Sequence, residues 1–179
     1  MISYGLGDAG TGLAATQLGF YLFPFFIGYA GLPALIAGSI LMLIKIWDAI
    51  NDPFIGWLSD RTNTKWGPRI PWMTGAAAPL GISLAAVWWV PQGDITTKIT
   101  YYIVITILLM TAYTSVNLPF AALSTEITED TSIRTRLNAA RFTGSILAGL
   151  SGLIVAAGLI SSGHTGYLLM GRITGTIAT

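Results

Sequence analysis

Charged side chains are scarce in this sequence, and cysteine is absent. Asp, Glu, Lys and Arg make up 9% of the 179 residues, whereas soluble domains carry about 25%, so a soluble fold could not cover its surface with them. The lack of cysteine excludes disulfides, thiol catalysis and cysteine-based metal sites. The single histidine, His164, excludes a histidine-rich metal site, and the net charge of +1 argues against a nucleic-acid partner.

Long apolar stretches take the place of charge. Hydrophobic residues make up 53% of the chain, and a membrane-spanning helix needs about 20 mainly apolar residues. Five stretches qualify, roughly 3–28, 33–58, 71–90, 99–124 and 138–161, and a partial sixth covers 166–179. Residues 1–179 are therefore expected to form one all-α transmembrane bundle, a polytopic membrane protein whose sixth helix is truncated.

The basic residues of the connecting loops lie mostly on one predicted side of the membrane. The loops after the second and fourth spans hold Arg61, Lys65, Arg69, Arg134 and Arg136. The loops on the other side hold only Lys98. Cytoplasmic loops carry the excess of Lys and Arg in membrane proteins, so the sequence predicts that the Arg-rich loops, and with them the N-terminus, face the cytoplasm.

Three ionisable side chains interrupt the second apolar stretch: Lys45, Asp48 and Asp52. At about 100° per residue, Asp48 and Asp52 lie about 40° apart on one helix face, with Lys45 on the same side. A charge at mid-bilayer costs at least about 2.5 kcal/mol, so this face must line a polar cavity or satisfy itself. Two carboxylates one turn apart supply hard oxygen ligands to Na⁺ or Li⁺, and they can equally hold a proton.

Other interpretations of this stripe stay open. Lys45 and Asp48 can form a purely structural ion pair, which leaves Asp52 without an obvious partner. Pro53 removes one backbone donor and frees the carbonyl of Ala49. Pro53 therefore either only kinks the helix, or it leaves the Ala49 carbonyl available as a further oxygen ligand for a cation.

A charged cluster follows the second span and consists of Asp60, Arg61 and Arg69. A carboxylate beside basic residues at a cytoplasmic helix end can form ion pairs between helices, and such pairs can favour one conformation of a transporter. With Lys45, these residues form a candidate conformational charge network. The alternative is ordinary anchoring by positive charge and interfacial tryptophans.

The second-span motif resembles one family of membrane transporters. The run Trp47-Asp48-Ala49-Ile50-Asn51-Asp52-Pro53, then Gly56, Asp60-Arg61, Trp66-Gly67 and Pro71-Trp72, is similar to the glycoside–pentoside–hexuronide:cation symporters. These form the melibiose permease-like family of the major facilitator superfamily. The resemblance covers nearly the whole chain and includes Ser3-Tyr4-Gly5, Pro119-Phe120 and Arg141-Phe142. It implies the N-terminal six-helix half of a twelve-helix major facilitator fold, with substrate and cation between the halves.

The resemblance also implies roles for single residues. Asp48 and Asp52 match the paired carboxylates of the family's cation site, and Thr114 matches a hydroxyl that joins them from the fourth helix. Arg141 matches a fifth-helix arginine associated with the sugar site, and Tyr113 matches a fourth-helix aromatic near it. An alkali cation is the only metal that this set implies.

The sequence departs from melibiose permease where that protein holds sugar hydroxyls with carboxylates. Gly12 and Asn117 stand at those positions, and neither is charged. Asp8, one turn before Gly12, either substitutes in part or lies in the headgroup zone, while Asn117 still donates and accepts hydrogen bonds. A galactoside is therefore not supported, and a sugar acid is better matched by fewer carboxylates and a retained Arg141.

Together these features predict a cation-coupled symporter of a sugar, glycoside or sugar acid. The coupling cation is expected to be Na⁺, Li⁺ or H⁺, with no other cofactor. The expected partners are a small-molecule substrate, the lipid bilayer and a missing C-terminal half, in a bacterial inner membrane. The alternatives are a lipid or other non-sugar cargo on the same fold, or a fragment that transports nothing alone. A membrane enzyme is disfavoured because HExxH, GxSxG and DDxxD clusters are absent.

Overall fold

The protein is an all-α bundle. A computed structural model describes residues 8–128, 130–161 and 163–178. Within those ranges the chain forms six helices joined by short turns: α1 Ala9–Gly28, α2 Ala34–Arg61, α3 Ile70–Ala86, α4 Ile95–Ile127, α5 Thr131–Ile160 and α6 His164–Ala178. The expected helical class is confirmed, while residues 3–7 of the first expected span lie outside the described ranges.

Four of these helices are long and apolar enough to cross a membrane: Ala9–Gly28, Ala34–Arg61, Ile95–Leu123 within α4, and Thr131–Ile160. Helix α3 has 17 residues, or about 26 Å at about 1.5 Å per residue. It ends at Ala86, before the end of the expected span 71–90. The physical reason lies on α4, where Tyr101 donates to the carbonyl of Ala86 at 2.7 Å and Tyr102 donates to that of Trp89 at 3.2 Å.

Side chains from the neighbouring segments stabilise the turn and the helix start at one end of the bundle. Gly31 has a φ of 69° in the turn after α1, and Lys98 donates from Nζ to the adjacent carbonyl of Ala30 at 2.7 Å. Asp94 caps α4 by accepting from the backbone N–H of Thr97 at 3.3 Å. The hydroxyl and the N–H of Thr97 lower the pKa of Asp94, because both hydrogen bonds favour its carboxylate form.

The main packing contacts join α1 to α5, α2 to α4, and α3 to both α4 and α6. Glycines permit the closest of these approaches. A Cβ built on Gly12 would lie 2.7 Å from the carbonyl oxygen of Ser145, and one built on Gly152 would lie 2.9 Å from Leu13. Small residues allow such approaches between membrane helices, so α1 and α5 hold the side chains near them in close register.

An aromatic cluster fills the bundle where α1 and α3 end and α4 and α6 begin. Phe25 is fully buried, and its ring centroid lies 5.3 Å from Trp88, 6.2 Å from Tyr102 and 5.1 Å from Tyr167. Aromatic pairs at these distances contribute about 0.5–1.5 kcal/mol each beyond their buried area. This cluster ties four helices together at the end of the bundle opposite the Arg-rich loops.

Candidate cation and substrate site

Asp52 of α2 makes a direct contact with Thr114 of α4. The Thr114 hydroxyl donates to Oδ1 of Asp52 at 2.9 Å, and Thr114 is only 3% exposed. The nearby hydroxyls of α4 instead donate to carbonyls of their own helix, as in Thr106, Thr111 and Ser115. Thr114 is therefore aimed across the helix boundary, and its oxygen keeps lone-pair capacity beside the carboxylate.

Asp48 lies one turn before Asp52 and has a different partner. Lys45 Nζ lies 3.7 Å from Oδ2 of Asp48, with the two side chains 79% and 30% exposed. Such an exposed pair within one helix is weak, so Asp48 is not committed to Lys45. Two carboxylates and a hydroxyl provide hard oxygen donors, which fit an alkali cation or a proton.

The donor set around Asp48 and Asp52 is smaller than a typical calcium or zinc site. Among the described residues, no group of three or more His, Cys, Asp or Glu side chains gathers in one place. The donor set around Asp48 and Asp52 therefore differs in this part of the chain from a multidentate calcium or zinc site.

A chain of hydrogen bonds connects α1, α5 and α4 on the same side of the bundle. Arg141 donates from Nε to Oδ2 of Asp8 at 2.9 Å and from Nη2 to Oδ1 of Asn117 at 3.3 Å. Asn117 Nδ2 donates to Tyr113 Oη at 3.3 Å, and Thr11 donates to Oδ1 of Asp8 at 2.5 Å. The geometry thus brings together all four residues expected around the substrate.

Asp8 forms a buried ion pair with Arg141. The Asp8 side chain is 5% exposed and that of Arg141 is 12% exposed, so the carboxylate is enclosed between α1 and α5. The same pairing changes the meaning of Arg141. Its positive charge is already balanced by Asp8, so it is not a free cation awaiting a substrate carboxylate.

Two adjoining cavities lie along this face. One, of about 370 Å³, has mainly apolar walls together with Lys45, Asp48 and Tyr113. The other, of about 240 Å³, is lined by Asp8, Asn117, Arg141 and Tyr113, among others. Ala15 and Tyr113 border both cavities, so Asp48 and the hydrogen-bonded chain line neighbouring parts of this face. The volume of the larger cavity is in the range of small-molecule pockets, about 300–1,000 Å³.

The charged cluster after α2 is separate from this region. Asp60 pairs with Arg69 at 3.1 Å, connecting the end of α2 to the start of α3. The Arg61 guanidinium lies 4.2 Å from the ring centroid of Trp57, a cation–π contact on its own helix. Of the expected charge network, the Asp60–Arg69 pair forms between helix ends, and Lys45 lies in the cavity region.

Some residues of this region were not singled out by the sequence analysis. Thr11 holds Asp8, and Trp47 donates from Nε1 to Thr111 Oγ1 at 3.0 Å. Asn51 is 3% exposed, and its Nδ2 has no hydrogen-bond partner within the described ranges. Helical spacing from Asp48 would have placed Asn51 on the bundle-facing side, whereas the contacts of Thr11 and Thr111 depend on other helices.

The helical architecture, the membrane-length helices and the carboxylate face together define a polytopic membrane protein of the transporter class. The family model for MFS/sugar transport proteins matches residues 3–178. The chain therefore belongs to the MFS/sugar transport protein family, a family of transporters and not of enzymes. The melibiose permease-like resemblance is confirmed at the level of this family.

Several relatives carry the name symporter or carrier. The chain is 45% identical over 168 residues to an uncharacterized symporter of Synechocystis, covering 88% of this chain and 31% of that protein. It is 33% identical over 142 residues to a glucuronide carrier protein homolog of Escherichia coli (79% and 31% covered). It is 27% identical over 165 residues to the sodium-dependent lysophosphatidylcholine symporter 1 of Xenopus tropicalis (92% and 31% covered). The chain thus spans about a third of the length of these relatives.

Proposed function

We propose that these six helices form one wall of a cation-coupled symporter, completed by a C-terminal half of the same transporter. The observation that carries this proposal is the contact between Asp52 and Thr114, one helical turn from Asp48, which lines the 370 Å³ cavity. The length of the relatives supports a larger whole, since each is about three times as long as the part that the chain covers. We place it in a bacterial inner membrane with the N-terminus in the cytoplasm.

The proposed cation is Na⁺, with Li⁺ or H⁺ as the other candidates, held by Asp48, Asp52 and Thr114. Charge balance supports a monovalent cation here. The region contains three carboxylates, of Asp8, Asp48 and Asp52, against two positive side chains, those of Lys45 and Arg141. One negative charge is left over, and a single cation neutralises it. A ligand shifts a conformational equilibrium only through its different affinity for the two states. In this proposal, the cation binds more tightly to the conformation in which it neutralises the excess negative charge of these residues.

The proposed substrate is a sugar or glycoside. Asp8, Asn117, Arg141 and Tyr113 offer both donors and acceptors around the 240 Å³ cavity, which suits several hydroxyl groups. A substrate carboxylate would have to compete with Asp8 for Arg141, at 2.9 Å in a buried pair. The pairing therefore removes the main argument for a sugar acid and favours a neutral substrate.

A lipid cargo is the second candidate, because a specific feature favours it. The walls of the 370 Å³ cavity include Leu18, Leu22, Leu41, Ile44 and Met110, and such apolar walls fit an acyl chain. The similarity to a relative named as a lysophosphatidylcholine symporter supports the hypothesis of a lipid cargo. The polar residues of the smaller cavity would then face the headgroup.

Uptake into membrane vesicles containing the full-length protein tests both candidates. The panel comprises neutral glycosides, pentosides, hexuronates and lysophosphatidylcholine, each with and without a Na⁺ gradient. We expect saturable, Na⁺-stimulated uptake of a neutral glycoside. Asp52→Asn should abolish the stimulation, and Thr114→Val should raise the half-saturating Na⁺ concentration about tenfold or more, the range for a hydrogen bond to a charged group.

The matched control is Thr106→Val, because Thr106 is equally buried in α4 and its hydroxyl bonds only to its own helix. It should leave the Na⁺ dependence unchanged. Preferred uptake of lysophosphatidylcholine would show that the substrate is a lipid and not a sugar. Preferred uptake of a hexuronate would show that it is a sugar acid. Uptake that does not depend on Na⁺, Li⁺ or H⁺ would contradict the proposed symporter function.

A further inference from the structure

Helices α2 and α4 meet along a line of contacts that continues on both sides of the candidate cation site. Trp47 bonds to Thr111, Asp52 bonds to Thr114, and Gly56 faces Leu118, where an added Cβ would lie 3.1 Å from Cδ2. The residue numbers rise together on both helices, as they do for two parallel helices side by side. The Asp52–Thr114 contact therefore lies between two other contacts that belong to neither the cation nor the substrate set.

The hydroxyl of Thr111 has both of its hydrogen-bonding roles in use. It donates to the carbonyl of Ile107 at 2.8 Å and accepts from Trp47 Nε1 at 3.0 Å. The first bond orients the hydroxyl, and the second then determines where the indole of Trp47 can lie. Since an indole N–H has no other role than donor, the Trp47 side chain connects α2 to α4 at one defined register.

This register matters for the carboxylate further along α2. Asp52 lies five residues after Trp47, which is about 7.5 Å along the helix axis. A small slide or rotation of α2 would separate Asp52 Oδ1 from the Thr114 hydroxyl, because binding sites tolerate displacements of only about 0.5 Å and about 10–20°. At the other side, the close contact of Gly56 with Leu118 sets how near the two helices can lie to each other.

We propose that the hydrogen bond from Trp47 to Thr111 is a positioning device for the cation site, setting both its affinity and its selectivity among alkali cations. This inference rests on the proposed symporter function. Neither side chain touches the cation. Loosening the α2–α4 contact weakens binding of Li⁺ more than of Na⁺, because the smaller ion needs a closer approach of its ligands.

The test is Na⁺- and Li⁺-dependent uptake by the full-length protein carrying Thr111→Val, Trp47→Phe or both. Each single variant should raise the half-saturating Na⁺ concentration about two- to tenfold, the range for one hydrogen bond, and Li⁺ should be affected more. The maximal rate should stay close to that of the wild type. The double variant should be no worse than the more affected single variant, because both changes remove the same interaction.

Two further variants separate positioning from general damage. Thr111→Ser keeps the acceptor hydroxyl and should retain wild-type affinity and selectivity, and Thr106→Val should also behave as wild type. The inference is overturned if Thr111→Val matches Thr106→Val, if the Na⁺ to Li⁺ ratio does not change, or if the two single effects multiply in the double variant. A wild-type protein without any cation dependence would overturn the proposed function and this inference together, so the two failures are distinguishable.

Discussion

At the scale of single residues, Asp8 and Arg141 form a buried ion pair that joins α1 to α5. Both partners are almost entirely enclosed, at 5% and 12% exposure, and Thr11 and Asn117 supply further hydrogen bonds. A buried ion pair is weak evidence of net stabilisation, since desolvation offsets the attraction, yet removing one partner leaves the other charge uncompensated.

Replacing Asp8 tests this asymmetry. Asp8→Asn should lower the stability of the purified full-length protein by about 3–5 kcal/mol, because the guanidinium of Arg141 then remains buried without its counter-charge. The measurement is the thermal unfolding midpoint in detergent. Asp60→Asn is the control, since Asp60 is 63% exposed in its pair with Arg69, and exposed pairs contribute about 0–1 kcal/mol. Equal shifts for the two variants would contradict the importance of burial.

At the scale of helices, the contact between α1 and α5 depends on the absence of side chains. Gly12, Gly149 and Gly152 all face the partner helix, and an added Cβ at Gly12 meets backbone atoms of Ser145. Backbone cannot rotate away as a flexible side chain can. This contact also brings Asp8 at the start of α1 to Arg141 of α5, so helix spacing and ion pairing depend on each other.

A pair of glycine substitutions measures that spacing. Gly12→Ala should lower the unfolding midpoint, because the new Cβ would lie 2.7 Å from the carbonyl oxygen of Ser145, and overpacking costs about 1–3 kcal/mol. Gly158→Ala, also in a helix but with nothing within 4 Å of the added Cβ, should be neutral or stabilising by up to about 1 kcal/mol. A Gly12→Ala protein as stable as Gly158→Ala would show that α1 can move at no cost.

At the scale of the whole molecule, the unequal distribution of basic residues supports the proposed orientation of the bundle in the membrane. The turn between α2 and α3 contains Lys65 and Arg69, whereas the turn between α3 and α4 contains none before Lys98 in α4. In the proposed orientation, which follows the positive-inside rule, the turn with Lys65 and Arg69 faces the cytoplasm. The buried aromatic cluster then lies toward the opposite surface.

Cysteine labelling tests this orientation, since the 179 residues contain no cysteine. Gln92→Cys should react with a membrane-impermeant maleimide in intact cells. Asn63→Cys should react only after the membrane is opened, because its exposed loop faces the cytoplasm in the proposed orientation. Unsubstituted full-length protein serves as the labelling background. The reverse labelling pattern would show that the bundle has the opposite orientation in the membrane.

The helical bundle and the placement of Asp48 and Asp52 on one helix face were predictable from local sequence, but most contacts between helices were not. Composition alone indicates the helical membrane class, and helical spacing alone places Asp48 and Asp52 on one face. The bonds from Tyr101 and Tyr102 of α4 to the carbonyls of Ala86 and Trp89, at and just after the end of α3, could not be predicted because they join different helices. The environment of Asp8 stayed undecided for the same reason, since its partner Arg141 lies 133 positions away.

What the sequence determined by itself is therefore whatever acts within one or two helical turns: apolar length, loop charge, and the stripe of Lys45, Asp48 and Asp52. These follow from the helical repeat and from the cost of charge in lipid. Only the tertiary structure decided that Asp8 neutralises Arg141 and that Trp47 bonds to Thr111, whereas the family resemblance had already implied that Thr114 lies beside Asp52. Those pairings depend on which helices pack together and at what register, which no local pattern of residues specifies.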